Sequence, residues 1–362
     1  MSKASMTAIG LMSGTSLDGV DAAWLETDGE QITAFGPSAT LLYADDLRAD
    51  LRRLLTMAPT LPPDDPFLRQ VEERLTRDHA LAVTMLGRCA DIIGFHGQTI
   101  LHAPQQGRTW QIGDAALLAR LTRTPIMYDF RTADVLAGGQ GAPLVPIFHD
   151  VLAQSLEKPV LIVNIGGVAN ATWLGADGEI LACDTGPGNG PLDDLAQAHL
   201  GRPYDQDGAL AKAGRVDTAR LQRLLAHPFF SQSLPKSLDR LSFQNLIEQA
   251  TQGLSPADAA ATLVAFICAA IAQTKFPAPP KRVLVAGGGR HNQAIMAGLT
   301  ACFSVPVEPV EAVGWDGDAL EAQCFGFLAV RARRGLALSL PDTTGVKTPQ
   351  SGGIYLAPHH KD

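Results

Sequence analysis

Blocks of apolar residues recur along this chain, and several of them run directly into glycine, hydroxyl and aspartate residues. The first block ends near Met12 and leads into Ser-Gly-Thr-Ser-Leu-Asp-Gly-Val-Asp at 13–21. This pattern predicts a strand, a tight turn with Gly14 and Gly19, and a second strand that begins near Val20. Amides, hydroxyls and carboxylates then converge at one end of a hairpin, which is a way to build a site for a phosphate and its metal ion.

Two alternatives bear on this first turn. Gly14 and Gly19 have the G-x-x-x-x-G spacing of a Walker loop, but Val20 and Asp21 occupy the positions where that loop needs Lys and then Ser or Thr. A Walker NTPase is therefore disfavoured. An ordinary hairpin turn without a ligand stays open, because glycine and aspartate are common turn residues.

The first half of the chain continues with alternating helix and strand patterns. We expect a helix over 65–86, a strand over 91–95, a strand that ends by residue 131, and a Gly/Pro-rich loop over 136–146 that leads into a short helix. These elements predict an α/β domain.

The second half repeats this layout. An apolar strand from Pro159 leads to the turn at 166–167 and a returning strand, as in the opening hairpin. We therefore expect two related lobes, 1–157 and 158–335, with a boundary near Lys158 and a cleft between the lobes.

Further elements are expected in the second half and beyond. They are a buried helix over 257–274, a strand over 282–286, a helix over 292–300, a last helix over 318–334 and a tail over 336–362 without periodicity.

A glycine-rich acidic segment marks the strongest candidate for chemistry. A strand ends in Asp184, and Gly186, Gly188 and Gly190 follow it. A carboxylate at a strand end that faces a glycine loop has room to reach a substrate proton, so Asp184 is a candidate general base. The alternative is that Asp184 bonds the amides of its own loop.

A third glycine segment, 287–289, follows a strand and precedes a helix. A nucleoside lying against it is one interpretation and a plain strand-to-helix turn is the other; the G-x-G-x-x-G pattern of dinucleotide folds does not occur there. His96, Arg131 and Glu321 also lie in apolar or glycine settings, although a lone histidine of this kind is more often structural.

Composition limits the class of protein. At 362 residues, 46% hydrophobic and 18% charged, the chain suits two globular domains. A net charge of −8 without a basic run gives no footprint for nucleic acid. Five widely spaced cysteines suit reduced core thiols, and the strongest apolar window, 259–272, is shorter than a membrane helix. We therefore expect a cytoplasmic protein with neither nucleic-acid nor membrane partners.

Taken together, the motifs resemble those of the anhydro-N-acetylmuramic acid kinase family over nearly the whole chain. The shared motifs occur in the family's order: GLMSGTSLDGVD, FHGQT, WQIGD, DFR with GGQGAPLVP, NIGGVAN, CDTGPGN, YDQDG, VAGGGRHN and GWDGDALEAQCFG. The resemblance implies the duplicated ATPase fold of hexokinase, actin and Hsp70, an α/β fold in which helices flank a mixed sheet in each lobe. It also implies ATP with Mg²⁺ and a homodimer. Independently of the resemblance, we expect the tail to pack back on the N-terminal lobe.

The resemblance also implies a set of site residues. Asp184 is the expected base, Asp18 and Asp21 are the expected metal ligands, and His96, Arg131 and Glu321 are expected at the sugar. Gly287, Gly288 and Gly289 are expected to face the nucleoside. The residues expected at the ATP phosphates are Gly14, Thr15, Ser16, Leu17, Asp18, Gly19, Val20, Asp21, Gly166, Gly167 and Asn170.

The reaction implied is hydrolysis of the 1,6-anhydro bond of 1,6-anhydro-N-acetylmuramic acid coupled to phosphorylation of O6, in cell-wall recycling. Two segments depart from the family pattern: Gly190-Pro191, and the run Pro-Lys-Ser-Leu-Asp-Arg at 235–240, which differs from the usual P-K-S-T-G-R-E at Leu238-Asp239. A plain sugar kinase of the same fold, a non-enzymatic relative and a metal-free glycosidase are the alternatives.

Overall fold

The computed structural model describes residues 4–14, 16–238 and 243–358. Thr15 of the first turn, and Asp239 and Arg240 of the departing run, lie outside the described residues. The chain folds as two compact units: Met1–Leu152 with Asp318–Asp362, and Ala153–Gly317.

The described residues contain twelve strands, which are numbered in chain order. They are β1 (Met6–Ser13), β2 (Gly19–Thr27), β3 (Ile32–Leu42), β4 (Ile92–Ala103), β5 (Arg108–Ile112), β6 (Ile126–Tyr128), β7 (Val160–Ile165), β8 (Val168–Leu174), β9 (Ile180–Pro187), β10 (Arg282–Ala286), β11 (Val307–Pro309) and β12 (Ile354–Leu356).

The helices are numbered likewise, and short 3-10 turns are left without labels. They are α1 (Asp45–Met57), α2 (Pro66–Met85), α3 (Ala115–Thr122), α4 (Thr132–Leu136), α5 (Pro146–Leu152), α6 (Gly190–Leu200), α7 (Ala209–Lys212), α8 (Thr218–Leu225), α9 (Gln244–Thr251), α10 (Pro256–Ala272), α11 (Gln293–Cys302), α12 (Leu320–Arg333) and α13 (Pro341–Thr344).

The two units contain sheets of the same topology. In the first unit, the strands lie in the order β12-β6-β4-β1-β2-β3, with β5 on β4; in the second, the order is β11-β10-β7-β8-β9. In the first sheet, β1, β2 and β3 pair antiparallel; β4 pairs parallel with β1, and β6 pairs parallel with β4. In the second sheet, β7, β8 and β9 pair antiparallel; β10 pairs parallel with β7, and β11 pairs parallel with β10. The predicted pair of related α/β lobes, each a mixed sheet with flanking helices, is confirmed, whereas the cleft between them stays a prediction.

The helix α12 lies against β1, β2 and β4 of the first sheet. Its backbone comes so close that a Cβ added to Gly10 would lie 1.7 Å from the carbonyl oxygen of Ala322, and one added to Gly94 would lie 2.0 Å from that of Phe325. The order of elements along the chain predicts that 318–335 belongs to the second lobe. The structure instead places α12 in the first unit, because nearly all its apolar residues are buried against the first sheet.

The tail is more ordered than its lack of periodicity indicates. It contains the short helix α13, and β12 pairs antiparallel with β6 at one edge of the first sheet. Tertiary pairing explains the difference, because three-residue strands and single-turn helices are too short to show a period.

The second unit has its core between its sheet and α10. This helix is buried along most of its length and covers Leu161, Val163 and Val285 of the sheet, together with α11. Ser255 caps its first turn by accepting from the amide of Asp258. All five cysteines are free thiols. Within the described ranges, the helices fall short of the length and apolarity required to cross a membrane.

Candidate active site

The predicted residues collect at one end of each sheet. In the first unit Ser13, where β1 ends, is in register with Gln98 of the parallel strand β4. In the second unit, Asn164 of β7 is in register with Ala286 of β10, so the turns that follow these two strands are neighbours. In open α/β sheets, ligands bind outside the carboxyl ends of parallel strands, and both sets of residues lie there.

The first turn is held from behind by hydrogen-bonded side chains. Ser13 Oγ donates to Gln98 Oε1 at 2.5 Å and lies 2.6 Å from Tyr43 Oη, while Gln98 Nε2 donates to the carbonyl oxygen of Gly14 at 3.2 Å. Burial raises the pKa of Tyr43 above its usual value, so its hydroxyl stays protonated. The turn therefore has a fixed position relative to β4.

Within the turn, Leu17 is buried and has a left-handed φ of 61°. Its amide donates to Gly14 O at 3.2 Å, and its carbonyl accepts from Arg48 Nε at 3.2 Å. Ser16 and Asp18 are exposed. The hydroxyl and carboxylate of the turn thus face solvent, while its bulky apolar residue anchors it.

Asp18 and Asp21, the two acidic residues of the first turn, fit a magnesium ion. Asp18 is exposed on the turn, and Asp21 of β2 is half-buried and accepts from Thr40 Oγ1 at 2.6 Å. The described part of the chain contains no cluster of three or more His, Cys, Asp or Glu side chains that would hold a metal ion. Mg²⁺ usually combines one or two carboxylates with substrate phosphates and water, so these residues fit it.

The glycines of the three turns fall into two groups. A Cβ on Gly19 would lie 2.2 Å from Leu41 O, and one on Gly289 would lie 2.5 Å from Ile165 Cβ. Gly287 has a φ of 72°, and a Cβ there would lie 2.4 Å from Asn164 Oδ1. The fold itself requires glycine at these three positions, which agrees with the structural interpretation of each.

The fold does not require glycine at the other positions. A Cβ on Gly14, Gly166 or Gly288 would meet described atoms no closer than 3.5 Å, and one on Gly167 would meet none within 4 Å beyond its chain neighbours. Of these four glycines, none has a left-handed φ. A ligand can approach the backbone closely only where no other atoms fill the space next to it. These four glycines leave such space, so their positions fit a phosphate.

The second turn is joined directly to the loop that follows Asp184. The amide of Asn189 donates to Gly166 O at 2.6 Å, and the amide of Gly188 donates to Gly167 O at 3.0 Å. The departure from the family pattern at Gly190-Pro191 forms the first turn of α6, with Asn189 as its N-cap residue. The predicted phosphate turn and the loop that follows the strand of the predicted base are therefore joined by hydrogen bonds.

A row of polar residues crosses three strands beside this unit. Asn164 of β7 is paired with Asn170 of β8, and Asn170 is paired with Asp184 of β9. Directly paired residues of antiparallel strands have side chains on the same face. The predicted phosphate residue Asn170 and the predicted base Asp184 are thus adjacent, and Asn164 joins them.

The carboxylate of Asp184 is held by a segment far away in sequence. The amide of Leu238 donates to Asp184 Oδ2 at 2.7 Å, and the amide of Asp184 donates to Lys236 O at 2.9 Å. Burial raises the pKa of Asp184 to about 6, although the bond from Leu238 and the charge of Lys236 oppose the rise. A carboxylate with this pKa is ionised at neutral pH and basic enough to accept a proton.

Lys236 supplies the nearby positive charge. It is buried, its Nζ donates to Phe229 O at 3.2 Å, and the same atom lies 4.5 Å from the centre of the Phe229 ring. Burial lowers the pKa of Lys236, and the charges of Cys183 and Asp184 oppose the fall. The aromatic contact helps to hold the ammonium group in place, and its charge acts on the predicted base Asp184.

His96 and Arg131 act as a pair in the first unit. Arg131 Nε donates to His96 Nε2 at 2.9 Å, and His96 Nδ1 lies 2.7 Å from Gly97 O. Because Nε2 accepts, the ring proton is on Nδ1 and the imidazole is neutral. Burial, with the charge of Arg131, keeps the pKa of His96 well below its usual value. His96 therefore orients the guanidinium and does not act as an acid at neutral pH.

Glu321 lies in the first turn of α12. Burial lowers the pKa of Arg131, and the charge of Glu321 gives the largest opposing effect. His96 and Arg131 are thus hydrogen-bonded, and Glu321 is close enough to affect the pKa of Arg131; their contact with the sugar stays a prediction.

Sequence reasoning missed three residues that the structure places at these sites. Asn164 has a local signal, since it is a polar residue inside the apolar strand VLIVNI. Lys236 belongs to the Pro-Lys-Ser part of the run at 235–240, which agrees with the family pattern, and that agreement is the signal that could have found it. Asp134 of α4 has no local signal, because the hydroxyls of Ser339 and Thr344 that bond it are 205 and 210 residues away in sequence.

The fold and site together define the class of protein. Two sheets of one topology, each with a glycine turn after its first strand, are the architecture of the duplicated ATPase fold. The chain belongs to the anhydro-N-acetylmuramic acid kinase family, whose profile matches residues 6–357.

Relatives of the same name match over almost their full length. The chain is 67% identical over 353 residues to the anhydro-N-acetylmuramic acid kinase of Acidiphilium cryptum, covering 98% of this chain and 99% of the relative. It is 52% identical over 355 residues to that of Paramagnetospirillum magneticum, covering 98% and 100%. The resemblance stated from the motifs is confirmed.

Solved structures give weaker likenesses. A ROK family glucokinase from Streptomyces griseus in complex with glucose and AMPPNP has 13% identity and a TM-score of 0.42, with 91% of this chain and 100% of that chain covered. The family assignment therefore rests on the family profile and on the sequence relatives.

Proposed function

We propose that this protein is an ATP-dependent kinase that hydrolyses the 1,6-anhydro bond of 1,6-anhydro-N-acetylmuramic acid and phosphorylates O6. The products are N-acetylmuramic acid 6-phosphate and ADP, and the role is the recovery of cell-wall sugar. Membership of the family supports the substrate. The observation that supports the chemistry is the environment of Asp184, a half-buried carboxylate of β9 with a pKa of about 6, whose strand leads into a glycine-containing loop.

Asp184 is the proposed base for a water molecule that attacks C1. As the water oxygen bonds to C1, the C1–O6 bond breaks and the water's proton passes to Asp184. O6 leaves with the electron pair and bonds to the γ-phosphorus, and the bond between that phosphorus and the β–γ bridging oxygen breaks to release ADP. Phosphoryl transfer thereby replaces the general acid of an ordinary glycosidase, so one carboxylate suffices.

The ATP phosphates are proposed to lie at the first turn (14–21) and at Gly166, Gly167 and Asn170, with the nucleoside against 287–289. Glycine turns that leave their backbone open support this placement. Mg²⁺, when bound through Asp18 and Asp21, would neutralise phosphate charge. Positioning and charge neutralisation are the main requirements of phosphoryl transfer.

The sugar is proposed to contact His96, Arg131 and Glu321. The guanidinium of Arg131 is oriented by His96 and is suited to bind the lactyl carboxylate of the sugar. A cytoplasmic location is supported by the use of ATP and by five free thiols. A homodimer without nucleic-acid or membrane partners completes the proposal.

Turnover in water enriched in oxygen-18 tests the coupled reaction. We expect one label at C1 of the product and none in the phosphate, together with one ADP per sugar. Product without label at C1 would instead support a plain sugar kinase, in which Asp184 deprotonates a sugar hydroxyl directly. Sugar opening without ATP would support a glycosidase.

The label needs a control for exchange, because the hemiacetal oxygen of the product exchanges with water. Unlabelled N-acetylmuramic acid 6-phosphate is kept in the same water for the same time. Only oxygen-18 at C1 in excess of the amount found in this control is taken as evidence for attack of water on C1.

A further inference from the structure

Asp134 is a buried carboxylate that the proposed reaction does not use. It lies in α4 and is 2% exposed. Its Oδ2 accepts from the amide of Gly141 at 2.6 Å, and its Oδ1 accepts from Thr344 Oγ1 at 2.7 Å and from Ser339 Oγ. A buried carboxylate is costly unless hydrogen-bonded, and the donors here come from two separate parts of the chain.

The loop that contains Gly141 connects this carboxylate to Arg131. The carbonyl of Gly141 accepts from Arg131 Nη1 at 2.7 Å, while its amide donates to Asp134. Gly141 has a φ of 69°, and a Cβ there would lie 2.6 Å from Val135 Cγ2. The amide and the carbonyl of Gly141 thus connect the carboxylate of Asp134 to the guanidinium of Arg131.

The C-terminal segment holds the same loop at a second point. The amide of Gln140 donates to the carbonyl of Thr344 at 2.7 Å. Thr344 therefore bonds the loop through its backbone and bonds Asp134 through its hydroxyl. Ser339 and Thr344 are both buried.

We propose that Asp134 is a positioning residue: held by Ser339 and Thr344, it fixes Gly141 and so orients the Arg131 guanidinium toward a carboxylate of the sugar substrate. The inference rests on the proposed function for the identity of that carboxylate. Asp134 acts through a peptide and does not touch substrate. The charge of Asp134 also opposes the effect of burial on the pKa of Arg131, which keeps the guanidinium charged.

Neighbouring residues of α13 provide a matched test. Thr344→Val removes the hydroxyl that bonds Asp134. Thr343→Val removes an equally buried hydroxyl of the same helix, whose partner is the backbone of Leu340. Thr344→Ser keeps the hydroxyl and is the conservative variant.

We expect Thr344→Val to raise the KM for the anhydrosugar by about tenfold, the scale of a weakened charge-assisted bond. The KM for ATP and the value of kcat should stay unchanged. Thr343→Val should lower thermal stability without a change in either KM, and Thr344→Ser should restore the wild-type KM. Equal KM changes in the two valine variants would overturn the proposal.

Amide hydrogen exchange gives a readout that does not depend on substrate. The amides of 139–141 should exchange about tenfold faster in Thr344→Val and at the wild-type rate in Thr343→Val, since hydrogen-bonded amides exchange through local opening. If these amides exchange at the same rate in both valine variants, the proposal is overturned, whatever the turnover of the variants.

A failure of the proposed function gives a different result. If the wild-type protein does not turn over the anhydrosugar, the proposed function and the role of the sugar carboxylate are overturned. A faster exchange in Thr344→Val alone would still support the inference that Asp134 fixes the loop.

Discussion

At the scale of single residues, Asp184 combines a proposed role as the base with a cost in stability. Its pKa is about 6 in the folded protein, whereas the ordinary value is 3.8. As pH rises from about 4 to 6, Asp184 loses its proton in the unfolded chain before it does so in the folded protein. The free energy of unfolding therefore falls across this pH range, and it stays at the lower value above pH 6. The cost at neutral pH is roughly 3 kcal/mol.

Asp184→Asn should therefore inactivate and stabilise the protein at once. We expect turnover to fall by at least about a thousandfold, because the amide cannot accept the proton. The free energy of unfolding should rise by about 2–3 kcal/mol at pH 8 and by about half as much at pH 5. Denaturant unfolding at the two pH values measures this, and wild-type turnover should fall about tenfold per pH unit below pH 6.

Two outcomes would contradict this account of Asp184. A variant that keeps more than a few per cent of the wild-type rate would remove Asp184 from the role of base. A gain in stability that is the same at both pH values would show that ionisation is not its source.

The two groups of glycines make separate predictions. Gly167→Ala places a methyl group in open space, so we expect the free energy of unfolding to stay within about 0.5 kcal/mol of wild type while the KM for ATP rises by at least about tenfold. Gly289→Ala, the matched control, forces a methyl group against Ile165 and should destabilise by about 1–3 kcal/mol. Denaturant unfolding curves and the KM for ATP, measured for both variants, test these predictions.

The interpretation of the phosphate turn fails if Gly167→Ala binds ATP as well as wild type. It also fails if the variant loses as much stability as Gly289→Ala, since Gly167 would then be structural.

At the scale of elements, the packing of α12 on the first sheet depends on small residues. Gly326 lies inside this helix, where alanine normally stabilises by about 1 kcal/mol. A Cβ at Gly326 would lie 2.3 Å from Leu25 Cδ2 and 3.0 Å from Gly10 N. We expect Gly326→Ala to destabilise by about 1–3 kcal/mol because the helix must move away from β1.

Thermal unfolding measures this effect, and the sugar KM should rise as well, since α12 carries Glu321. If Gly326→Ala instead raised the stability by the helix-propensity increment, the close approach of α12 to β1 would be wrong.

Elements with strong local signals were predictable. The helix α2 begins after Asp65, which accepts from the amides of Phe67 and Leu68, and Pro66 is in its first turn; the expected range was 65–86. The strand β10 has the bounds that its apolar run indicates. By contrast, β3 and α1 were not predicted. The strand β3 lies at a sheet edge with half-exposed and exposed residues, so no apolar face marks it.

At the scale of the whole molecule, the repeated topology is the property that sequence indicated best. Two apolar hairpins, each with a glycine turn after its first strand, were enough to expect related lobes. Residue identity between the halves is slight, but burial of a similar sheet needs only the same order of apolar blocks. The boundary at 318–335 was beyond this reasoning, because an apolar helix is suited to cover either sheet.

Short-range sequence was sufficient for the turns at Gly14, Gly166 and Gly287 and for the family, whereas the expected strand end at Asp184 was wrong because β9 continues to Pro187 through its pairing with β8. These features depend on residues close together in the chain, where periodicity and turn preferences act. Tertiary packing alone establishes which distant residues share a site, such as Leu238 and Lys236 with Asp184, or Thr344 with Asp134. Such groups come together when whole faces of helices and sheets pack on one another. A local sequence pattern does not determine which face packs on which.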